Sequence, residues 1–136
     1  MTTAQSIIMV EAVLCLPFLL LGLSHLVQSG MWKAFFMSLA ERGEEGVLMR
    51  TFLFELWPAI AIVVFHQDWS LPGIFITLYG HLLMAKVTLS LLMPSLGRAS
   101  LAQAERTGDW SFFPAGLILI VLGGVCLYRA LPVWIG

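Results

Sequence analysis

The sequence predicts an all-α protein: a four-transmembrane-helix bundle with an interfacial amphipathic helix between helices 1 and 2. Three observations predict it. Of 136 residues, 60% are hydrophobic and 11% charged, against roughly a quarter charged in soluble domains, so polar groups are too few to cover a water-facing surface. Four apolar runs, at about 7–27, 47–65, 72–93 and 111–131, each approach the ~20 residues that a helix needs to cross a ~30 Å hydrocarbon core. Four of the five tryptophans (Trp32, Trp69, Trp110 and Trp134) fall at predicted interfaces, the depth that indole rings favour. The runs leave no room for a soluble domain, so 1–136 reads as a single integral membrane domain.

The net charge of −1 comes without any basic cluster, so no nucleic-acid backbone is an expected partner. Cys15 and Cys126 lie inside apolar runs without CxxC spacing and read as buried, inert thiols rather than a redox pair. No Lys or Arg precedes the first run and no small-residue cleavage pattern follows it. It is therefore expected to span rather than to be removed as a signal. Lys33, Arg42 and Arg50 fall in the first connection and Arg98 and Arg106 in the third, while the second connection and the N-terminal segment have none. The positive-inside rule then places both the N-terminus and the C-terminus outside and loops one and three in the cytoplasm; for a bacterial host this is the inner (plasma) membrane with both termini in the periplasm.

Helix 1 carries Glu11, Cys15, Phe18, Gly22 and His25 at spacings of 4, 3, 4 and 3. At 100° per residue these stay within about 40° of one another, so they form a stripe that faces protein. Pro17 beside it is expected to bend the helix. From about 30 to 42 the chain is too short and too charged to span. Met31, Trp32, Phe35, Phe36 and Leu39 share one helical face, which reads as an amphipathic helix at the membrane surface with Trp32 at headgroup depth; a partner-binding helix is the alternative. Gly43-Glu44-Glu45-Gly46 breaks the chain before helix 2.

Helix 2 places Thr51, Glu55 and Ala59 on one face, and Pro58 has no N–H for the carbonyl of Phe54. The helix is therefore expected to open beside Glu55 and to bury that turn. Helices 3 and 4 start alike, with Asp68-Trp69-Ser70-Leu71-Pro72 and Asp109-Trp110-Ser111-Phe112-Phe113-Pro114. An Asp or Ser to cap, a Pro for the first turn and an anchoring Trp are shared start chemistry rather than a repeat. Helix 3 is polar on two sides: Thr77, His81 and Thr88 on one, Tyr79, Lys86 and Ser90 opposite. Such a helix is expected to have helical neighbours on both sides and hence a central place. The Ala-rich, charged loop after Pro94 reads as a short surface helix. Helix 4, with Gly116, Gly123 and Gly124 and no ionisable group in its middle, reads as structural, its glycines allowing close packing.

Charges within a membrane are costly and point to function by default. At ~1.5 Å rise per residue Glu55 and Lys86 lie at about the same depth, roughly 12 Å from the inner boundary. An ion pair between them is the simplest arrangement, either structural or handling protons or substrate; unpaired, each is expected to be neutral. The polar stripe of helix 1 adds Glu11 and His25. The three histidines differ in depth by roughly 15 Å or more, which does not suit a bis-His haem. A single-His pigment or ligand site at His25 or His81 stays open. No His–carboxylate spacing typical of a metal site, nucleophile–base pair or phosphate loop is present. No metal, catalytic residue or cofactor is predicted.

His66, Trp69, Thr77, Gly80, Lys86 and Pro94, with Gly22 and Trp32 before them, resemble a pattern (H-N-x-W, then T-x-x-G-W, then Lys and Pro) of small bacterial four-helix integral membrane proteins without assigned function. The likeness covers about residues 18–98. It departs at Gln67, where the pattern has Asn, and at His81, where it has Trp, so His81 is not expected to serve a function shared with that group. A weaker likeness, to DoxX-like four-helix proteins, rests on the order of helix, amphipathic connector and second helix with Glu55; it implies a quinone-linked redox role. Three functions follow as expectations. The first is a non-catalytic accessory or assembly subunit, or a homo-oligomer, whose partners are the lipid bilayer and other membrane subunits or copies of itself. The second is a small oligomeric proton-coupled transporter using Glu55 and Lys86. The third is a DoxX-like quinone- or thiol-linked redox protein.

Overall fold

A computed structural model describes residues 2–136, with every side chain in that range except those of Ala104 and Asp109; the cap expected from Asp109 lies outside the described side chains. Six helices follow one another: α1 (Thr3–Val27), α2 (Ser29–Glu41), α3 (Glu44–Phe65), α4 (Ile74–Leu92), α5 (Pro94–Thr107) and α6 (Phe112–Ile135). Among the described residues there is no strand. α1, α3, α4 and α6 are long and apolar enough to cross a membrane, and the chain is an all-α, four-helix membrane protein.

α1 begins four residues before its apolar run because Thr2 and Gln5 close a capping box. The Thr2 hydroxyl accepts from the Gln5 N–H at 3.3 Å, and the Thr2 N–H donates to the Gln5 side chain at 2.8 Å. Two N–H groups that the first turn cannot use are thereby satisfied. The stripe Glu11, Cys15, Phe18, Gly22 and His25 is buried along its length. It packs against α6, where the backbones come close. A Cβ on Gly22 would stand 2.8 Å from the Gly116 carbonyl oxygen, and one on Gly116 2.9 Å from that of Gly22. Gly123 faces Leu19 just as tightly, whereas Gly124 faces open space and takes no part in the close packing expected of it.

α3 runs on from Gly43, whose φ of 60° requires glycine. Residues Thr51–Leu56 form a widened π-type turn. Its position follows from Pro58, which removes one donor and whose ring would crowd the Phe54 carbonyl in a regular helix. α4 starts at Ile74, later than the expected 72, so Pro72 precedes the helix rather than occupying its first turn. Nor does Asp68 cap it: its carboxylate turns to Ser70 and Arg129 instead. In α6, Pro114 does sit in the first turn.

The expected central place for the third spanning helix is not what forms. α4 packs against α3, with Gly80 pressed onto the Ile62 side chain, and its C-terminal end meets α5; the long partner of α1 is α6. The α4 polar side of Thr77 is buried only at that residue, and Thr88 is exposed. The main core, Leu14, Cys15, Phe18, Ile62, Ile76, Leu122 and Cys126, fills the half of the bundle nearer the termini. At the opposite end α2 and α5 pack on each other around Leu39, Val47 and Leu101. The apolar face of α2 is thus partly spent on protein, and Trp32 faces inward rather than standing as a free anchor. Its indole N–H donates to the Ser24 hydroxyl at 2.8 Å.

Candidate functional site

Two polar centres lie inside the bundle, one toward each end. Near the termini, α1 brings Glu11, the α3–α4 connection brings His66 and Asp68, α4 brings Thr77 and α6 brings Arg129. Glu11 and His66 are fully buried. Glu11 Oε1 stands 2.8 Å from His66 Nε2 and 2.7 Å from Arg129 Nε, while Arg129 Nη2 donates to Asp68 Oδ2 at 2.6 Å. The Thr77 hydroxyl donates its one proton to the Asp68 carbonyl at 2.8 Å. His66 Nδ1, 3.0 Å from that hydroxyl oxygen, must then be a donor to it. One more proton is needed on the line between Nε2 and Oε1, since two lone pairs cannot face each other at that distance. With that shared proton the two acids, the guanidinium and the imidazole sum to zero charge, the balance that a largely buried site favours.

Asp68 lies in the connection between spans. The Ser70 hydroxyl, donating at 2.6 Å, and then the Ser70 N–H and Arg129 hold its carboxyl below the usual carboxylate range against the opposing effect of burial. Arg129 occupies the position between two carboxylates that a metal cation would take. Among the described residues no three His, Cys, Asp or Glu side chains converge as metal ligands.

The second centre is built on the widened turn of α3. Lys86 Nζ donates to Glu55 Oε1 at 2.5 Å, and Arg50 Nε lies 3.5 Å from the same oxygen. The Arg50 guanidinium also donates to the Ser100 and Ser90 hydroxyls at 3.2 and 3.3 Å. Glu55 Oε2 is buried without a partner. Glu55 and Lys86 form part of the wall of a cavity of about 350 Å³ between α1, α3 and α4, with α2 at its end. The rest of the wall is aromatic and aliphatic: Phe18, Trp32, Phe54, Trp57 and Tyr79 contribute rings.

The structure separates the two ends of the α1 stripe. Glu11 belongs to the first centre and His25 to the second, where its Nδ1 donates to the Leu21 carbonyl at 2.7 Å and its ring stacks on Trp32 with centroids 4.3 Å apart. His81 is in neither. Its Nδ1 donates to the Thr77 carbonyl at 2.8 Å and its ring rests 5.4 Å from Trp69.

Arg50, Asp68 and Arg129 are not singled out by sequence reasoning. Arg50 reads as a loop charge, yet it is 1% exposed. Arg129 reads as a lone charge near the end of a structural helix. The signal for it was depth: Glu11 and Arg129 both lie about 9–12 Å inside the same end of their helices, and two opposite charges at one depth attract. No family model, no curated protein and no solved structure matches the chain.

Proposed function

We propose that the protein is a non-catalytic component of the bacterial inner membrane that works as a subunit of an assembly, with other membrane proteins or with copies of itself. The observation that carries this reading is the position of α4. It has polar groups on two sides and packs along its length on α3, reaching α1 at Ile76 and Tyr79, so that Thr88 and nearly half of the Lys86 side chain are left exposed. Lipid is a poor partner for these groups, and a second chain supplies the missing neighbour. Both termini lie outside in this reading. Supporting it, Lys33, Arg42, Arg98 and Arg106 remain at the α2–α5 end even after Arg50 is removed from the count as buried, while Arg129 is tied up in ion pairs.

The resemblance to small bacterial four-helix proteins supports the same setting. The positions that carry it have identifiable work in this chain: His66 bonds Thr77, Gly80 admits Ile62, and Lys86 holds Glu55. Extraction in a mild detergent, followed by sizing and mass spectrometry, tests the proposal. Stoichiometric recovery with other polypeptides or as a defined oligomer is expected; a monodisperse monomer refutes it.

One observation favours a second reading, a proton-coupled carrier: an ion pair with one free carboxylate oxygen faces a cavity within the spans. There Glu55→Gln abolishes pH-dependent transport without lowering folded yield, whereas in a purely structural role it lowers the yield. The thiol form of the DoxX-like redox reading has no support in geometry. Cys15 and Cys126 are both fully buried, and the Cys15 thiol donates to the Gly123 carbonyl at 3.8 Å.

A further inference from the structure

The cavity beside Glu55 has the charge and lining of a binding site. Arg50 and Lys86 bring two positive charges to the one negative charge of Glu55, so among the described residues this centre carries one cation too many. An uncompensated charge at this depth calls for an anion. Lys86 uses one of its three N–H groups on Glu55 and has two more to offer, and both Lys86 and Tyr79 belong to the wall of the cavity. Beyond them the wall is apolar and aromatic, ending at Trp32 on α2 and Leu119 on α6. A volume of about 350 Å³ falls within the usual range of small-molecule pockets; at ~30 Å³ per water-sized unit it holds about a dozen non-hydrogen atoms. A lipophilic cation suits the rings but not the net charge. A water-soluble anion suits the charge but not the lining.

We propose that this cavity binds a single-chain anionic amphiphile, its carboxylate or phosphate head on Lys86 and Tyr79 and its hydrocarbon body among the rings of Trp32, Phe54 and Trp57. Every wall residue belongs to one chain, and the site shares Lys86 with the surface that the assembly reading gives to a second chain. The Glu55 carboxylate, part of the same wall, sets the selectivity by repelling a second negative charge.

Tryptophan emission of the protein in a nonionic detergent tests this, with bromine-tipped twelve-carbon probes that differ only in their heads. The carboxylate is expected to quench saturably, and the matching alcohol and ammonium are not. Lys86→Gln is expected to weaken carboxylate binding about tenfold, and Lys86→Arg to retain it. The Trp32→Phe/Trp57→Phe variant is expected to lose the saturable part, which places the probe in this cavity without altering the ion pair. Equal quenching by all three heads, a preference for the ammonium, or saturable quenching that survives loss of both tryptophans overturns the proposal. In bilayer discs, competition by lysophosphatidylglycerol against lysophosphatidylcholine identifies a single-chain membrane lipid as the source of the head, and absence of competition identifies a free carboxylate.

Discussion

Arg129 tests the centre near the termini most directly. Changing it to Met keeps the length of the side chain and removes the guanidinium that bridges Glu11 and Asp68. Losing one partner of a buried pair costs about 3–5 kcal/mol, because the other charge is left behind. Here each acid keeps a donor, His66 on Glu11 and Ser70 on Asp68, and the Arg129 side chain is 21% exposed. The lower end applies: about 3 kcal/mol, a factor of roughly 150 in the folded-to-unfolded ratio. For a chain of this size that lowers Tm by about 10 °C. Unfolding in mixed micelles followed by circular dichroism reads it. Because Glu11→Gln removes the same charge contact from the other side, the two changes together should fall short of their sum by about 2 kcal/mol. A single Arg129→Met within ~0.5 kcal/mol of the parent, or additive effects, refutes the network.

Thr77→Val keeps the shape but removes the group that both holds His66 Nδ1 and bonds the Asp68 carbonyl, and should cost about 1–3 kcal/mol in the same assay. Gly116→Val drives a branched side chain into the Gly22 backbone and should destabilise by about 1–3 kcal/mol; Gly124→Ala, in open space, should change stability by less than ~0.5 kcal/mol. The Asp68 carboxyl titrates below its unfolded value. Its contribution is therefore complete above pH ~4 and is lost as pH falls through the lower folded value. Tm measured from pH 6 down to 3 should drop more steeply for the parent than for Asp68→Asn, and parallel curves count against the ion pair.

The spans and the buried stripe of α1 were legible because both are local. A run of twenty apolar residues and a 3.6-residue period need no knowledge of what lies elsewhere in the chain. The opened turn beside Glu55 was legible for the same reason, since the missing N–H of Pro58 acts only one turn away. The network of Glu11, His66, Asp68 and Arg129 was not, because it joins three segments that lie 55 to 118 residues apart in sequence and each member has an ordinary local reading. His66 and Asp68 read as boundary residues, Arg129 as a helix-end cation. Arg50 misled for a related reason: loop counting treats a basic residue near a helix end as solvated, and here the packing of α5 over α3 encloses it. The misplaced α4 came from a sound premise. Polarity on two sides does require two neighbours, but nothing requires both to come from the same chain.

The widened turn at Thr51–Leu56 also acts as a gear between the two ends of α3. Each residue advances a regular helix by about 100°, so a turn that takes up extra residues resets the heading of everything beyond it. Arg50 before the turn and Glu55 within it point into one centre, and His66 beyond it into the other. Deleting one residue there would swing His66 by a quarter of a circle or more while leaving Arg50 where it stands, and the two centres would no longer be in phase. A single rod of twenty-two residues thus serves two sites whose bearings were set separately.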